Sequence, residues 1–309
     1  LKPLIVIAGP TGVGKSELAV RIAEEAGGEV VNYDSVQVYR GFDVGSAKPD
    51  ATIRARVPHH LFDVIDADEE LNAADYARRA REVCAEIDAR GKRVVLAGGT
   101  FFYLRALLTG LPEMPPRDEA IRDRLRRIAA SRRGPARLHR WLSKVDAASA
   151  AKIAIGDRHR VERALEVWIV SGRPISSWPS PTSASADALP AIRIGVRTER
   201  ARLVKVLEAR VETMYAGGLV AETKALLERW PRSARPFGTI GYKEAAAVVT
   251  GELPIAAAIA ETKRRTRAYA KRQMTWLRGE RDVHWIDAAA PDTTFNAAMR
   301  LITDFEVTT

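Results

Sequence analysis

Leu4-Ile5-Val6-Ile7-Ala8-Gly9-Pro10-Thr11-Gly12-Val13-Gly14-Lys15-Ser16 is the stretch that decides the fold. Its last eight residues match G-x-x-x-x-G-K-[ST], and the five before them form an apolar run of buried-strand type. After it, Lys15 to Ala26 puts Leu18, Ala19, Ile22 and Ala23 on one helical face, and Gly27-Gly28 ends the pattern. A glycine-rich turn between strand and helix lets backbone N–H groups face phosphate oxygens, and the helix N-terminus adds positive potential. Lys15 supplies a mobile charge and Ser16 can ligate Mg²⁺. The plain alternative, a glycine-rich turn without a ligand, sits poorly with the strand and helix on either side. Whether the loop holds a triphosphate or a diphosphate is not encoded in it.

Short Val- and Ile-rich runs recur at 29–33, 61–65, 93–97, 192–196 and 283–286, with helical patterns between most of them. That rhythm predicts a parallel sheet covered on both faces. The fold class expected is α/β, a P-loop NTPase-like parallel sheet flanked by helices. Between the runs at 93–97 and 192–196 the chain is helical in character and far longer than one crossover needs. Residues 116–186 therefore read as a helical insertion domain, bounded by Pro112, Pro115 and Pro116 and by the Ser/Pro/Ala stretch 176–190. The catalytic core is then 1–115 with 187–309. Beyond the fifth strand Leu203, Leu207, Val211 and Met214 recur at helical spacing before Gly217-Gly218.

The composition, 46% hydrophobic and 28% charged over 309 residues, is that of a globular protein and excludes collagenous or disordered classes. No apolar run reaches the ~18 residues of a membrane span. Cys84 is the only cysteine, so neither an intramolecular disulfide nor a multi-cysteine zinc site can form, and a reducing cytoplasm is expected. The opening residues lack the parts of a signal peptide, and no targeting segment is expected. The net charge of +10 is uneven: 116–186 carries fifteen Lys/Arg against seven Asp/Glu, and 262–278 carries seven against none. Two basic patches on a mildly acidic remainder point to a polyanionic partner.

Asp34 falls at the carboxyl end of the second run, where open α/β sheets place their ligand crevice. There it can take a proton from a nucleophile, hold magnesium, or merely cap the next helix. The run at 93–97 ends in Gly98-Gly99-Thr100 with no acid of the Walker-B kind; Asp63 and Asp66 are weak substitutes. Group transfer is therefore favoured over an ATP-driven machine. His59-His60 invites a metal, but sequence neighbours on a strand point apart, and hydrogen bonding is the reading preferred. Arg210, one turn from Leu207 and Met214, either snorkels or reaches into an anionic crevice. Tyr269 and Trp276 interleave the bases of 262–278, a pattern that suits nucleic acid as well as a solvated helix face.

Several segments together resemble the bacterial tRNA dimethylallyltransferases, or tRNA isopentenyltransferases. They are Gly9 through Ser16; Asp34-Ser35-Val36-Gln37-Val38-Tyr39-Arg40-Gly41 with Gly45-Ser46-Ala47-Lys48-Pro49; Val57-Pro58-His59-His60; and Gly98-Gly99-Thr100. Arg160-Val161-Glu162-Arg163-Ala164-Leu165-Glu166, Ile240-Gly241-Tyr242-Lys243-Glu244 and Lys271-Arg272-Gln273-Met274-Thr275-Trp276-Leu277-Arg278 complete the set, which spans nearly the whole chain. The departures are Tyr33 where a small residue is common, and Ser16 and Ser46 where Thr is frequent. None removes a chemical function. The single cysteine excludes the zinc finger of eukaryotic relatives.

The resemblance implies transfer of a dimethylallyl group from dimethylallyl diphosphate to N6 of adenosine 37 in the tRNA anticodon loop. It implies catalytic roles for Asp34, Lys15, Arg210 and Thr11, with Asp34 as base, Mg²⁺ on Ser16, and Gly9 to Ser16 cradling the diphosphate. It implies tRNA contacts at Asp34, Ser35, Val36, Gln37, Thr100, Arg122, His159, Arg160, Val161, Glu162 and Arg163. A monomer without membrane attachment or obligate protein partner is expected. Competing readings are a P-loop small-molecule kinase, a prenyltransferase acting on free adenine nucleotide, and a nucleic-acid-binding module with a vestigial loop. The first two leave the basic patches without a purpose; the intact Lys15, Ser16 and Asp34 weigh against the third.

Overall fold

A computed structural model describes residues 2–179, 188–280 and 282–308. The chain forms two compact units, Leu1–Gly110 with Ala186–Thr309, and Leu111–Ser185. The first unit begins β1 (Leu4–Ala8), α1 (Lys15–Glu25), β2 (Gly28–Asn32), α2 (Ala51–Arg56), β3 (His59–His60), α3 (Ala73–Ala89), β4 (Arg93–Ala97) and α4 (Phe101–Thr109). The second unit holds α5 (Glu119–Ala129), α6 (Gly134–Val145), α7 (Ala147–Lys152) and α8 (Arg158–Ser171). The first then resumes with β5 (Ala191–Arg197), α9 (Arg200–Ala216), α10 (Leu219–Arg229), α11 (Tyr242–Val249), α12 (Ile255–Arg278), β6 (Val283–Asp287) and α13 (Pro291–Thr308).

All six strands are parallel, in the order β3-β2-β4-β1-β5-β6. Every residue of β1 and β2 is buried, as a sheet covered on both faces requires. Leu18, Ala19, Ile22 and Ala23 of α1 join Ile5, Ile7, Val95 and Ile194 of the sheet and Ala298 and Ile302 of α13 in one core. The chain leaves β1 for β2 on one side, and leaves β4 for β5 on the other. β4 and β1 are neighbours with oppositely directed exits, so their carboxyl ends flank a topological switch point, where such sheets bind ligands.

The expected strand at 61–65 is corrected. The third strand is His59–His60, pairing with Val30 and Val31. It stops because Leu61 and Asp63 take positive φ, 61° and 55°, a left-handed conformation that no strand continues. Leu61 and Ile65 are buried by loop packing instead, with a lone bridge from Ile65 to Tyr39.

In the second unit, Asp118, Asp146 and Asp157 cap α5, α7 and α8 by accepting the backbone N–H groups of Ile121, Ser149 and Arg160. Leu125, Ala129, Leu138, Leu142, Val161, Ala164 and Leu165 form its core. Part of the Ser/Pro/Ala stretch, 180–187, lies outside the described residues. Glu166 is 0% exposed and accepts from Arg122 Nε at 2.8 Å, Arg163 at 2.7 Å and the Asp118 N–H at 2.8 Å. Burial alone would raise its pKa, but these donors hold it below the usual glutamate range. The stabilisation is therefore present at neutral pH and lost as pH falls through the depressed value. Glu166→Ala leaves two arginines without their buried partner, and urea unfolding of the full chain is expected to show a loss of about 3 kcal/mol.

Candidate active site at the carboxyl ends of the strands

The loop after β1 enters α1 through Gly14, whose φ of 93° is open to glycine at little cost. Lys15 folds back so that Nζ donates to the Pro10 carbonyl oxygen at 2.9 Å. Burial, and then the Arg210 guanidinium of α9, lower its pKa from 10.5 to about 7; Asp34 pulls the other way. Arg210 is itself held below the ordinary guanidinium range by burial, against the pull of Asp34. Lys15, Arg210 and Asp34 thus share one electrostatic neighbourhood. Ser16, on the first turn of α1, is exposed.

Asp34 follows β2 and does not cap a helix. Its Oδ1 accepts the Val36 N–H at 2.8 Å and the Gln37 N–H at 3.4 Å, closing a turn, while its own N–H donates to Asn32 Oδ1 at 2.9 Å. Oδ2 has no protein donor among the described residues and lies beside Gly99: a Cβ there would stand 2.9 Å from it. Any side chain at 99 would displace the carboxylate. Thr100 Oγ1 accepts the Ser35 N–H at 2.9 Å and donates to Ser35 Oγ at 3.0 Å, tying the loop after β4 to the turn after Asp34. Gln37 donates Nε2 to the carbonyls of Ser46 and Ala47, and Val36 is half-buried in the same turn.

Two residues shape this site in a way that the sequence reading did not assign. Gln273 of α12 accepts the Thr11 N–H through Oε1 at 2.8 Å and donates Nε2 to the Gly99 carbonyl at 2.9 Å. Tyr269, a turn earlier, donates its hydroxyl to the same carbonyl at 2.8 Å. The Thr11 amide is thus engaged by Gln273, and Thr11 retains its hydroxyl. The signal was present in the spacing 269, 273, 276, one helix face. Trp276 completes that face by stacking on Phe101, with centroids 4.8 Å apart. Tyr269 and Trp276 are both half-buried and engaged within the unit, so they do not lie on a wholly solvated helix face.

Of the seven bases on 262–278, Lys263, Arg264, Arg265 and Arg267 pair with Glu212, Glu261, Glu244 and Glu208. Lys271, Arg272 and Arg278 are exposed and make no ion pair among the described residues. Asp63 pairs with Lys48 and Arg54, and Asp66 with Arg40, so neither takes the place of a metal-binding acid. His59 bonds the Val57 carbonyl and His60 bonds Glu29, the hydrogen-bonding role expected. Among the described residues no group of three or more His, Cys, Asp or Glu is disposed to hold a metal.

In the second unit the implied RNA-contacting residues divide. Arg160 is 73% exposed and only loosely paired with Asp157, and His159 is exposed. Arg122 and Arg163 brace Glu166, Glu162 is half-buried, and Val161, 2% exposed, belongs to the hydrophobic core. Val161 offers no side-chain surface to a ligand, a correction to its place among the contacts.

Residues 37–280 match the family model described as IPP transferase. A tRNA dimethylallyltransferase of Solibacter usitatus is 47% identical over 285 residues, covering 92% of each chain. One from Geobacter sulfurreducens is 44% identical over 288 residues, 93% of this chain and 92% of the relative. The crystal structure of a full-length tRNA isopentenylpyrophosphate transferase from Bacillus halodurans is 35% identical with a TM-score of 0.73, over 99% of this chain and 97% of that one. A eukaryotic dimethylallyltransferase described as acting on tRNA has a TM-score of 0.78 at 28% identity, over 100% of this chain and 80% of its own. Among the described residues no helix is long and apolar enough to cross a membrane. With a phosphate loop and a carboxylate at the carboxyl ends of one parallel sheet, and relatives matched along nearly the whole sequence, the chain belongs to the IPP transferase family, the tRNA dimethylallyltransferases.

Proposed function

We propose that the protein transfers the dimethylallyl group of dimethylallyl diphosphate to N6 of adenosine 37 in tRNA anticodon loops, in the cytoplasm, releasing pyrophosphate. The observation that carries this reading is the pairing of a cationic phosphate loop with a carboxylate whose Oδ2 is uncommitted, across the switch point of the sheet. An exocyclic adenine nitrogen is a weak nucleophile and must lose a proton as it is alkylated. The N6–carbon bond forms as the carbon–oxygen bond to the diphosphate breaks. The proton passes to Asp34 Oδ2, and the diphosphate leaves with the electron pair. Lys15, Arg210, the Thr11 hydroxyl and the remaining loop amides meet the charge that grows on it. A base must leave the stack to be reached; Arg160 and the exposed bases of α12 supply cationic surface for the RNA, and exposed His159 a hydrogen-bonding side chain. Asp34 to Gln37, with Thr100, form the wall against which that base is held.

Mg²⁺ fits the donor set as a partner of the substrate: one exposed serine hydroxyl, with no carboxylate cage among the described residues, suits an ion that keeps its waters and binds phosphates. Ser16 would hold it, and when bound it would neutralise leaving-group charge. The test is incubation with labelled dimethylallyl diphosphate and unmodified tRNA, or AMP in parallel, followed by nucleoside analysis. Label is expected on tRNA adenosine, without ATP. Transfer to AMP alone selects the free-nucleotide prenyltransferase, and strict ATP dependence selects the kinase.

A further inference from the structure

Gln273 stands on a helix, outside the loops that build the site, yet its side chain reaches between two of them. It is 3% exposed, and a carboxamide so buried must find partners for both ends. Its partners are the Thr11 N–H of the loop after β1 and the Gly99 carbonyl of the loop after β4. These loops flank the switch point, where their exits diverge, and among the described residues no direct hydrogen bond joins them. Tyr269 doubles the hold on the Gly99 carbonyl. The space a side chain at 99 would need is bounded by Asp34 Oδ2 at 2.9 Å, Gln273 Nε2 at 3.0 Å and the Tyr269 hydroxyl at 3.3 Å. The clamp therefore holds the diphosphate loop on one side and, on the other, the Gly99 backbone beside which Asp34 Oδ2 lies.

We propose that Gln273, assisted by Tyr269, is a positioning residue that sets the separation between the diphosphate loop and Asp34, and so the approach of the allylic carbon to the adenine nitrogen. The proposal rests on the transfer reaction above. Bond formation needs the two reacting atoms held at near-contact distance, and a misplacement of about 1 Å costs roughly 10²-fold in rate. The amide is chosen by its asymmetry: it offers an acceptor to an N–H and a donor to a carbonyl at once, and only one orientation satisfies both. Glutamate at this position would set a carboxylate oxygen against the Gly99 oxygen.

The test compares Gln273→Met, Gln273→Glu and Tyr269→Phe with the wild type, at saturation in dimethylallyl diphosphate and tRNA. Gln273→Met, close in size and without either hydrogen bond, is expected to lose about 30- to 100-fold in kcat per folded enzyme, with the donor KM and tRNA Kd changed less than about threefold. Gln273→Glu should fall at least as far, and Tyr269→Phe about fivefold. Where a Gln273 variant fails to fold, Tyr269→Phe decides, since it removes one buried hydroxyl only. A kcat within twofold of wild type in the folded variants, or a loss confined to KM or to tRNA Kd, overturns the proposal. Absence of transfer by the wild type removes the functional reading and this inference together; an active wild type with unaffected variants removes this inference alone.

Discussion

Asp34→Asn is expected to lower kcat by roughly 10²- to 10⁴-fold while leaving tRNA affinity nearly unchanged. The geometry makes the substitution unusually clean. Oδ1 is committed to the N–H groups of Val36 and Gln37, and an asparagine oxygen can accept both, so the turn survives. Oδ2, beside Gly99, is replaced by an NH₂ group that cannot take a proton. The cationic surfaces that would grip RNA are untouched. Were Asp34 no more than a brace for its turn, the amide would serve equally and the rate would hold. Were it mainly a magnesium ligand, raising the metal concentration would restore much of the loss. Single-turnover rates and tRNA dissociation constants over a magnesium series separate these outcomes, and a near-wild-type rate removes the general-base assignment.

What the sequence disclosed about this site follows from the range over which its signals act. The phosphate loop is contiguous, so eight adjacent residues and their flanks were enough to place Lys15 and Ser16. The strand at 93–97 was legible because burial on both faces leaves Val94 to Ala97 apolar without a break, and that at 192–196 because Ile192, Ile194 and Val196 stand close together despite Arg193. The same rule misled at 61–65, where Leu61 and Ile65 are just as apolar but are buried by a loop with left-handed turns. Charge was read well in bulk and poorly in detail. Arg122 and Glu166 lie 44 residues apart, and nothing local reveals that one neutralises the other. Three of the seven bases on α12 are likewise engaged by Glu208, Glu212 and Glu244, supplied by other helices. The role of Gln273 was hidden for a related reason: the residue stood in a segment that resembles the family, but its partners are 262 and 174 residues away.

Lys15 supplies the second large effect, and its sign can be worked out from the protein groups around it. There the ammonium is disfavoured by burial and by Arg210, which bring its pKa to about 7. A diphosphate against Nζ adds several negative charges and restores the ordinary preference for the protonated form. Donor binding is then coupled to proton uptake: below pH 7 the charge is already present, and above it affinity falls by up to about tenfold per pH unit. Pyrophosphate, as competitor of the donor, reports this directly through its inhibition constant between pH 7 and 9. The ligand titrates as well, but equally for any variant, so the ratio of wild type to Lys15→Arg isolates the lysine, because arginine keeps its charge throughout. That ratio should change with pH, while Lys15→Ala should lose roughly 10²- to 10³-fold in kcat/KM and show no lysine-linked slope. A wild-type to Lys15→Arg ratio that is flat from pH 7 to 9 would remove Lys15 as the group whose charge the diphosphate recruits.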